Sequence, residues 1–424
     1  MKKSSVDLLI HSAAQLVTCA SKTGAKRGAA MRDAGVIEDG AIAISRSRIV
    51  DVGRSRDLKR KFSARKTIDA RGKVVCPGFV DPHTHVVFAG DRVDEFERRC
   101  CGETYQQIMA AGGGILSTVR ATRAASVEQL VAQSRRRLAE MLAHGTTTAE
   151  AKTGYGLNKA AELKQLRAIE MLDRRQPIEL VPTLLAAHAV PPEFAGRADQ
   201  FVDRVVDDLL PAAIAWHRRS RLNDRPLFVD VFCERNAFDV TQSRRVLQAA
   251  RERGLPIKAH VDEFSRLGGL QMALELGATS VDHLDETGAD GIRWLAASDS
   301  IAVIIPAVTF NLGSTRFANA RLMIDSGAAV ALTTDINPGS APCPSMPLVM
   351  AIACRYQKLT PAEALNASTI NAAHAIGMGD RVGSLEIGKQ GDVVIVDAQD
   401  FRELAYHFGV NRVTQVIKKG RLVA

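Results

Sequence analysis

The sequence predicts an α/β protein in which a (β/α)8 barrel of the TIM type carries a small composite β-sandwich built from both chain ends. Three observations support this fold. Eight short apolar segments, each followed by a polar loop, recur between residues 78 and 339, and helix-like stretches fit between most of them. The two chain ends instead alternate apolar and polar residues, as half-buried strands do. We therefore predict a sandwich of residues 1–75 and 376–424 beside a barrel of residues 76–375.

Short strands account for the two chain ends. The N-terminal part contains the runs AIAISRSRIVDVG and KTIDARGKVVCPG, and the C-terminal part contains VGSLEIGKQGDVVIVD and VTQVIKKGRLVA. Their period of two is that of strands with one buried face. The earlier run VDLLIHSAAQLVT is interrupted by Asp7, His11 and Gln15. We therefore interpret it as a strand of the mature chain and not as a signal peptide.

Capping signals define the helices between the barrel strands. Ser126 is followed three residues later by Gln129, which is the spacing of a capping box. The apolar residues after it fall largely on one helix face, and Gly145 marks the end. The segment from Thr241 to Gly254 repeats this pattern. Both stretches are predicted to be amphipathic helices packed on the barrel.

The eight barrel strands are predicted from apolar runs that end in polar residues. In chain order these are GFVDPHTH, GTTTAEAKTGYG, IELVPTLLAAHA, LFVDVFCERN, LPIKAHVDEF, ATSVDHLDE, IAVIIPAVTF and AAVALTTDINPG. In a (β/α)8 barrel the active site lies at the C-terminal ends of the strands. A doubly wound open sheet is the alternative fold. It is less well supported, because no G-x-G-x-x-G motif follows the first strand and the glycines at 112–114 follow a helix-like segment.

Composition excludes several classes of protein. Of the 424 residues, 46% are apolar and 24% are charged, which is the ordinary balance of a globular protein. No run reaches the ~18 apolar residues of a membrane helix. The net charge of +9 suggests nucleic acid, but the basic run at 54–66 lacks interleaved aromatic residues, so we predict no such partner. Seven cysteines without a C-x-x-C pair indicate reduced thiols and a cytoplasmic location.

Histidines are concentrated at the predicted strand ends. Five of the ten lie there, and the eighth strand ends in Asp335; the histidines are His83, His85, His188, His260 and His283. Residues two apart in a strand point to the same side, so the first two are expected to face the barrel interior together. Imidazole is a favoured metal ligand, which predicts a metal site with further ligands from other strand ends. The other five are interpreted as surface or packing residues: His11, His144, His217, His374 and His407.

This constellation resembles the amidohydrolase superfamily. The resemblance is carried by PGFVDPHTH, the two later strand-end histidines and the late aspartate, with flanking strands like the composite β-sandwich of that superfamily. Five longer motifs are similar to those of the imidazolonepropionase family within it: HTHVVFAGDRVDEF, AAGGGILSTVRATRAAS, GTTTAEAKTGYGL, AHVDEFSRLGG and TTDINPGS. The resemblance extends from about Val36 to the C-terminus and implies a homodimeric, cytoplasmic hydrolase of histidine degradation.

The resemblance implies one metal ion, Zn²⁺ or alternatively Fe³⁺, held by His83, His85, His260 and Asp335. Many amidohydrolases bridge two metals with a modified lysine at the end of the fourth strand. Here that strand, LFVDVFCERN, ends without lysine, and Lys152 and Lys258 lie elsewhere, so a mononuclear site is favoured. Glu263, His283 and Asp335 are the implied catalytic residues. They would move protons during hydrolysis of a ring C–N bond of 4-imidazolone-5-propanoate, which yields N-formimino-L-glutamate.

The implied substrate carries a propionate group, for which a cation is expected. Arg92 matches the substrate arginine of the family, and a guanidinium binds a carboxylate in a bidentate manner. Tyr105 is a weaker candidate for the same role. The remaining substrate-binding candidates implied by the family motifs are Tyr155, His188, Glu263, Asn337, Gly339 and Ser340.

Two other functions are considered. A nucleobase-type aminohydrolase or another cyclic amidohydrolase of the same superfamily would share the metal ligands but would have no evident use for Arg92. A non-catalytic barrel or a nucleic-acid-binding protein is suggested only by the net charge of +9. Such a protein has no role for a full set of metal ligands with acid–base partners beside them, and its affinity would fall steeply with salt.

Overall fold

A computed structural model of the chain describes residues 3–104, 107–108 and 111–424. Its strands, labelled β1 to β16 in chain order, form two eight-stranded sheets. The first sheet contains β1 Ser4–Val17, β2 Val36–Ser45, β3 Arg48–Arg54, β4 Phe62–Asp69, β5 Val74–Pro77, β14 Val393–Val396, β15 Val413–Lys418 and β16 Arg421–Leu422. The second contains β6 Phe79–Asp81, β7 Thr146–Lys152, β8 Glu179–Ala187, β9 Phe228–Cys233, β10 Lys258–Val261, β11 Ser280–His283, β12 Ile301–Ile304 and β13 Ala329–Leu332.

The second sheet is the predicted barrel. Its strands are parallel and follow one another in chain order from β6 to β13. Backbone hydrogen bonds just past the ends of β6 and β13 bring its two edges together: Asp335 N donates to His83 O over 3.1 Å, and His85 N donates to Ile336 O over 3.1 Å. The prediction of a (β/α)8 barrel with a separate sheet from both chain ends is confirmed. The boundaries at residues 75/76 and 375/376 stay predictions.

Helices surround the barrel and extend into the loops above it. The α-helices in the described residues are Ser55–Lys61, Val93–Cys100, Ile115–Ala124, Val127–Ala143, Lys159–Arg175, Ala198–Arg204, Leu210–His217, Val240–Glu252, Gly269–Glu275, Ala289–Ala297, Pro306–Asn311, Ala320–Asp325, Met346–Tyr356, Pro361–Ala367, Ile370–Ala375 and Glu403–Tyr406. Short 3-10 turns at Gly28–Arg32 and Pro192–Phe194 and a π-helical turn at Val205–Leu209 complete the set. Within the described residues, no helix combines the length and apolarity needed to cross a bilayer.

The capping signals locate both predicted helices, the second with a small shift at each end. Ser126 and Gln129 form the predicted capping box, and the helix runs over Val127–Ala143 before Gly145 turns the chain with φ +94°. The second helix was predicted over Thr241–Gly254 but occupies Val240–Glu252. Asp239 accepts from Gln242 N in a capping box of its own, so the helix begins one residue earlier. The helix Ser55–Lys61 within the basic run was not predicted, because its charged, exposed residues give no apolar period.

A buried ionic cluster joins the first sheet to the bottom of the barrel. Lys418 of β15 places Nζ 3.1 Å from Glu179 Oε2, at the start of β8, and 2.7 Å from Asp392 Oδ2. Arg225 Nη2 lies 3.5 Å from the other oxygen of Glu179, whose side chain is 2% exposed. Burial alone would raise the pKa of Glu179, but these cations and Lys419 outweigh burial and hold that pKa well below its usual range.

We expect Glu179→Gln to destabilise the protein by about 3–5 kcal/mol at pH 7, because it removes the carboxylate that two buried cations, Lys418 and Arg225, share. The folded pKa of Glu179 is depressed, so its contribution is complete above the unfolded value of about 4.3 and is lost as the pH falls below it. Urea unfolding should show a smaller difference in the free energy of unfolding between the native protein and the variant below pH ~4 than at pH 7. Glu275→Gln, which breaks an exposed pair with Arg244, is the control. Equal stability of native and Glu179→Gln protein at pH 7 would contradict this anchoring role.

Candidate metal centre and active-site cavity

Asp81 fixes the chain that carries the first two histidines. Its Oδ1 accepts from Thr333 Oγ1 over 2.5 Å, and its Oδ2 accepts from Thr334 Oγ1 over 2.5 Å. These bonds join the end of β6 to the segment after β13. The backbone bonds between His83 and Asp335 lie directly beyond them. The first-strand histidines and the late aspartate are therefore held opposite each other by the closure of the barrel.

The predicted ligand atoms lie at the separations that a small cation requires. Asp335 Oδ1 is 3.4 Å from His83 Nε2 and 3.4 Å from His85 Nε2. Atoms bound tetrahedrally at about 2.0–2.2 Å are roughly 3.3–3.5 Å apart, so these edges fit one ion. His83, His85 and His260 also offer nitrogens that lie within 4.8 Å of one another. The described residues thus contain a buried three-histidine group able to hold a metal ion.

Several of these atoms are buried and make no hydrogen bond within the described chain. They include His83 Nε2, His260 Nε2 and Asp335 Oδ1. Buried polar atoms are almost always paired, so an unpaired set converging on one point indicates that a ligand completes it. Burial lowers the pKa of His83 and of His85 well below the ordinary value, which keeps both imidazoles neutral, as metal binding requires. The donor set of three imidazoles and one carboxylate fits Zn²⁺ or iron.

Two carboxylates hold the far sides of the histidine rings. His83 Nδ1 donates to Asp282 Oδ2 over 2.6 Å, and His260 Nδ1 donates to Asp230 Oδ1 over 3.2 Å. Sequence reasoning missed both aspartates. The signal that could have found them is a single acidic residue within an otherwise apolar strand segment, in LFVDVFC and in ATSVDH.

His283 and Glu263 form a pair beside the ligands. His283 offers a nitrogen to a second possible metal-binding group with His83 and Asp335. Its Nδ1 is 3.7 Å from Glu263 Oε1, and its backbone has φ +82°, an uncommon conformation for a histidine. Burial raises the pKa of Glu263 well above its ordinary value, and the nearby Asp335 adds to this effect. Glu263 therefore carries a proton under conditions in which an exposed glutamate would be ionised.

Glu234 holds the loop that carries Glu263. Its Oε2 accepts from Phe264 N over 2.9 Å and from Ser265 N over 3.0 Å, and its Oε1 accepts from the Ser265 hydroxyl. Sequence reasoning did not single out this residue, although it directly follows β9 in the FCERN segment. The loop after β10 is therefore fixed from the neighbouring strand end.

Three of the predicted ligands, His85, His260 and Asp335, line one cavity of about 360 Å³. Most of the predicted site residues line it: His85, Arg92, Tyr155, His188, Glu263, His260, His283, Asp335, Asn337 and Ser340. His83 is fully buried beneath the cavity. Tyr105 lies outside the described residues, so its predicted role stays a prediction. The structure thus brings residues from most of the barrel loops to one place.

Arg92 is a buried cation in the cavity wall. It is 6% exposed, and its Nε donates to Thr118 Oγ1 over 2.8 Å, which fixes the plane of the guanidinium. Gly339 lies directly against it: a Cβ at that position would be 2.1 Å from Arg92 Nη1. The glycine predicted as a substrate contact therefore also provides the space that the arginine occupies.

His188 lies flat against His85, with ring centroids 5.0 Å apart and planes inclined by 18°. Its Nδ1 donates to the Gly154 carbonyl over 3.1 Å, because a carbonyl can only accept. Burial lowers the pKa of His188 to about 3, so Nε2 of the neutral ring is an acceptor. A Cβ on Gly154 would lie 2.9 Å from His188 Nδ1, and this residue has φ +105°, so glycine is required there. Tyr155 is next in the chain, with its ring 5.4 Å from His188.

Asn337 has its side chain engaged within its own turn. Its Oδ1 accepts from Gly339 N and from Ser340 N, each over 2.8 Å. Its Nδ2 donates to Asp335 O over 2.8 Å and to Ser340 Oγ over 2.9 Å. These bonds shape the loop behind Asp335. The predicted substrate contact at Asn337 stays a prediction, and it would have to share atoms that this turn already uses.

Comparison with known proteins gives concordant results. Residues 74–423 match the model of the amidohydrolase family. The chain is 63% identical over 419 residues to an imidazolonepropionase of Chloroflexus aggregans, covering 98% of both chains. It is 49% identical to an imidazolonepropionase of Herpetosiphon aurantiacus, covering 98% of this chain and 97% of that one.

Solved structures with the same fold are more distant in sequence. An adenosine deaminase from Xanthomonas campestris with bound zinc superposes with a TM-score of 0.72 at 20% identity, covering 99% of this chain and 93% of the other. The guanine deaminase of E. coli superposes with a TM-score of 0.72 at 16% identity, covering 98% of each chain. At these identities the likeness establishes the fold only.

Proposed function

The chain belongs to the amidohydrolase family and, within it, to the imidazolonepropionases, and on this premise we propose that it opens the ring of 4-imidazolone-5-propanoate. Hydrolysis of a ring C–N bond gives N-formimino-L-glutamate, a step of histidine degradation. The observation that carries the proposal is the convergence of unpaired histidine and aspartate atoms on the floor of a cavity whose wall holds the buried cation Arg92. A small hydrolysable ring with a carboxylate arm suits both features.

We propose that one ion per chain is held by His83, His85, His260 and Asp335, with Zn²⁺ preferred to iron. Three neutral imidazoles and a carboxylate supply four donors, so a water would join as the fifth ligand. When bound, such an ion lowers the pKa of a water from 15.7 to about 7 and so supplies a nucleophile at neutral pH.

The chain's own groups would then move the protons. Water adds to the ring carbon, the C–N bond breaks, the water oxygen stays in the new carboxyl group, and the departing nitrogen gains a proton. Asp335 and His283 would take the proton of the water, and this role is supported by their ligand atoms, which lie within 4.8 Å of each other and of His83. Glu263 would give a proton to the ring nitrogen, and this role is supported by burial, which raises its pKa well above the ordinary value.

The cavity wall would orient the substrate. Arg92 is proposed to bind the propionate, with Tyr155 and His188 against the ring and the turn from Asn337 to Ser340 closing one side. His188 Nε2 can accept a hydrogen bond from a ring N–H but cannot donate one, because Nδ1 holds the proton of the neutral imidazole. This would favour one tautomer and one orientation of the ring.

We expect Arg92→Met to raise KM by about 10–100-fold with a smaller change in kcat, because a charge-assisted pair with the substrate carboxylate contributes about 1.5–3 kcal/mol. Steady-state kinetics with substrate generated in the assay would measure this. Arg98→Met is the matched control, since Arg98 pairs with Glu103 on the helix surface. An unchanged KM in Arg92→Met would remove the arginine from substrate recognition.

The activity itself is tested by making the unstable substrate in place from urocanate with urocanase. Its absorbance should disappear faster with native enzyme than spontaneously, and chelator-stripped enzyme should fall back towards the spontaneous rate. Ammonia release from purine or pyrimidine substrates would instead identify a nucleobase-type aminohydrolase. No acceleration of ring opening by the metal-loaded chain would overturn the proposal.

We also propose a homodimer in the cytoplasm. The dimer is suggested by the family alone, and sedimentation analysis would decide it. A reducing compartment agrees with the cysteines, all seven of which are free.

A further inference from the structure

Five charged side chains lie in the barrel interior beneath the metal ligands. This floor cluster consists of Glu150 and Lys152 on β7, Asp230 on β9, Lys258 on β10 and Asp282 on β11, and each residue is 0% exposed. Lys258 precedes His260 by two residues and so shares its side of the strand. Three carboxylates and two ammonium groups give the cluster a net charge of −1.

The two lysines hold the carboxylates that hold the histidines. Lys152 Nζ donates to Asp230 Oδ2 over 2.6 Å and lies 3.6 Å from Asp282 Oδ2. Asp230 and Asp282 are the residues that accept from Nδ1 of His260 and His83. A displacement of the Lys152 ammonium would therefore remove a neighbouring cation from both aspartates at once.

Lys258 fixes the same layer from the other side. Its Nζ donates to the Pro82 carbonyl over 2.6 Å, immediately before His83, and to Glu150 Oε1 over 3.0 Å. Glu150 is 2.9 Å from Lys152 through its other oxygen, and Thr183 Oγ1 donates to Oε1. The five charged groups thus form one connected network. Two of its members, Asp282 and Asp230, accept hydrogen bonds from the predicted metal ligands His83 and His260.

Stability alone does not account for this network. Barrel interiors are ordinarily filled by branched apolar side chains. Replacing a buried ionic cluster by well-packed apolar residues is often neutral or stabilising, because burial of charges costs more than their attraction returns. The cluster instead ends on the Nδ1 atoms of two histidines whose Nε2 atoms are unpaired and face one point.

We propose that Lys152 and Lys258 are positioning residues for the metal centre. They hold Asp230 and Asp282 so that His83 and His260 carry their protons on Nδ1 and present Nε2 before any metal binds. A carboxylate behind a ligating imidazole fixes its tautomer and orientation in this way. The inference rests on the proposed function only in using the same metal site.

The test uses full-length, metal-stripped protein and measures zinc affinity by competition with a chelator. Lys152→Met should weaken zinc binding by about 10–100-fold, the usual effect of losing an outer partner of a ligand. Lys164→Met is the control, since Lys164 donates only to the backbone carbonyls of Thr122, Arg123 and Ala125 among the bonds described. Nitrogen-15 NMR of the imidazoles in the stripped native protein should show His83 and His260, like His188, locked with the proton on Nδ1. Lys152→Met should lose that signature at His83 and His260 and keep it at His188.

Asp282→Asn keeps the inference testable if Lys152→Met does not fold. This nearly isosteric change should weaken zinc binding and unlock only the tautomer of His83, leaving that of His260 intact. An unchanged zinc affinity in the folded variants would overturn the inference. Tighter zinc binding by Lys152→Met would also overturn it, because simple removal of a positive charge would produce that result. Neither readout involves turnover, so failure of the inference and failure of the proposed ring opening are separate results.

Discussion

Replacement of His260 by alanine should lower kcat by at least about 10³-fold, because the ion that activates water would lose one of its three imidazoles. His260 is 2% exposed and offers its unpaired Nε2 within 4.8 Å of the other two histidine ligands. We expect the loss in kcat to exceed any change in KM, since the proposed contacts to the substrate come from other residues of the cavity, such as Arg92.

A measurement of metal binding distinguishes the loss of a ligand in His260→Ala from the loss of the fold. Excess zinc at about 1,000 times its dissociation constant should stabilise the stripped native protein by roughly 4 kcal/mol, and His260→Ala should lose most of that gain. Thermal unfolding with and without zinc, together with the metal content per chain, measures it. His407→Ala is the control, because His407 pairs with Glu403 far from the barrel centre. Native-like turnover by a folded His260→Ala protein would exclude this histidine as a ligand.

Glu263→Gln should reduce kcat by about 10²–10⁴-fold while metal content and KM stay close to native values. Glutamine preserves the shape of the side chain but can neither give nor take the proton. Because burial and the nearby Asp335 raise the pKa of Glu263, its acid form persists above the pH at which an exposed glutamate ionises and is lost as the pH rises through the raised pKa. The kcat of the native enzyme should therefore fall on the alkaline side of its pH profile as this proton donor ionises. The kcat of the variant should not show that alkaline decrease.

Two comparisons make the glutamate experiment decisive. Glu286→Gln removes a carboxylate that pairs with Arg316 on the surface, and it should leave kcat unchanged. Glu234→Gln would weaken the bonds that hold the Glu263 loop, so it should lower kcat less than Glu263→Gln does. A metal-loaded Glu263→Gln enzyme with near-native turnover would rule out the proton-transfer role.

The barrel fold and the convergence of the predicted metal ligands could be predicted from the sequence, because the strand ends of a parallel barrel converge whatever the details of packing. His83, His85, His260 and Asp335 each end an apolar run, and the structure brings them together. The helix starting at Val127 was accessible for a similar reason, since a capping box is a local signal.

The layer beneath the ligands was not accessible in the same way. The sequence indicated only that Lys152 and Lys258 do not end the fourth strand, and it gave no site role to Asp230 or Asp282. Alternation tells which side of a strand a residue occupies, but the stagger between strands decides which residues share a level. The distance of 2.6 Å between Lys152 and Asp230 depends on that stagger and cannot be obtained from either segment alone.

The strand order of the first sheet has a consequence for biosynthesis. β5 pairs with β1, made early, and with β14, made after the whole barrel. Emerging from the ribosome, β5 therefore has one open edge while some three hundred further residues are translated. The barrel, contiguous in the chain from β6 to β13, can assemble during that interval. The sheet that comes first in the sequence is thus the last to be completed, and a nascent chain stalled before β14 would expose Val74 to Pro77 to aggregation.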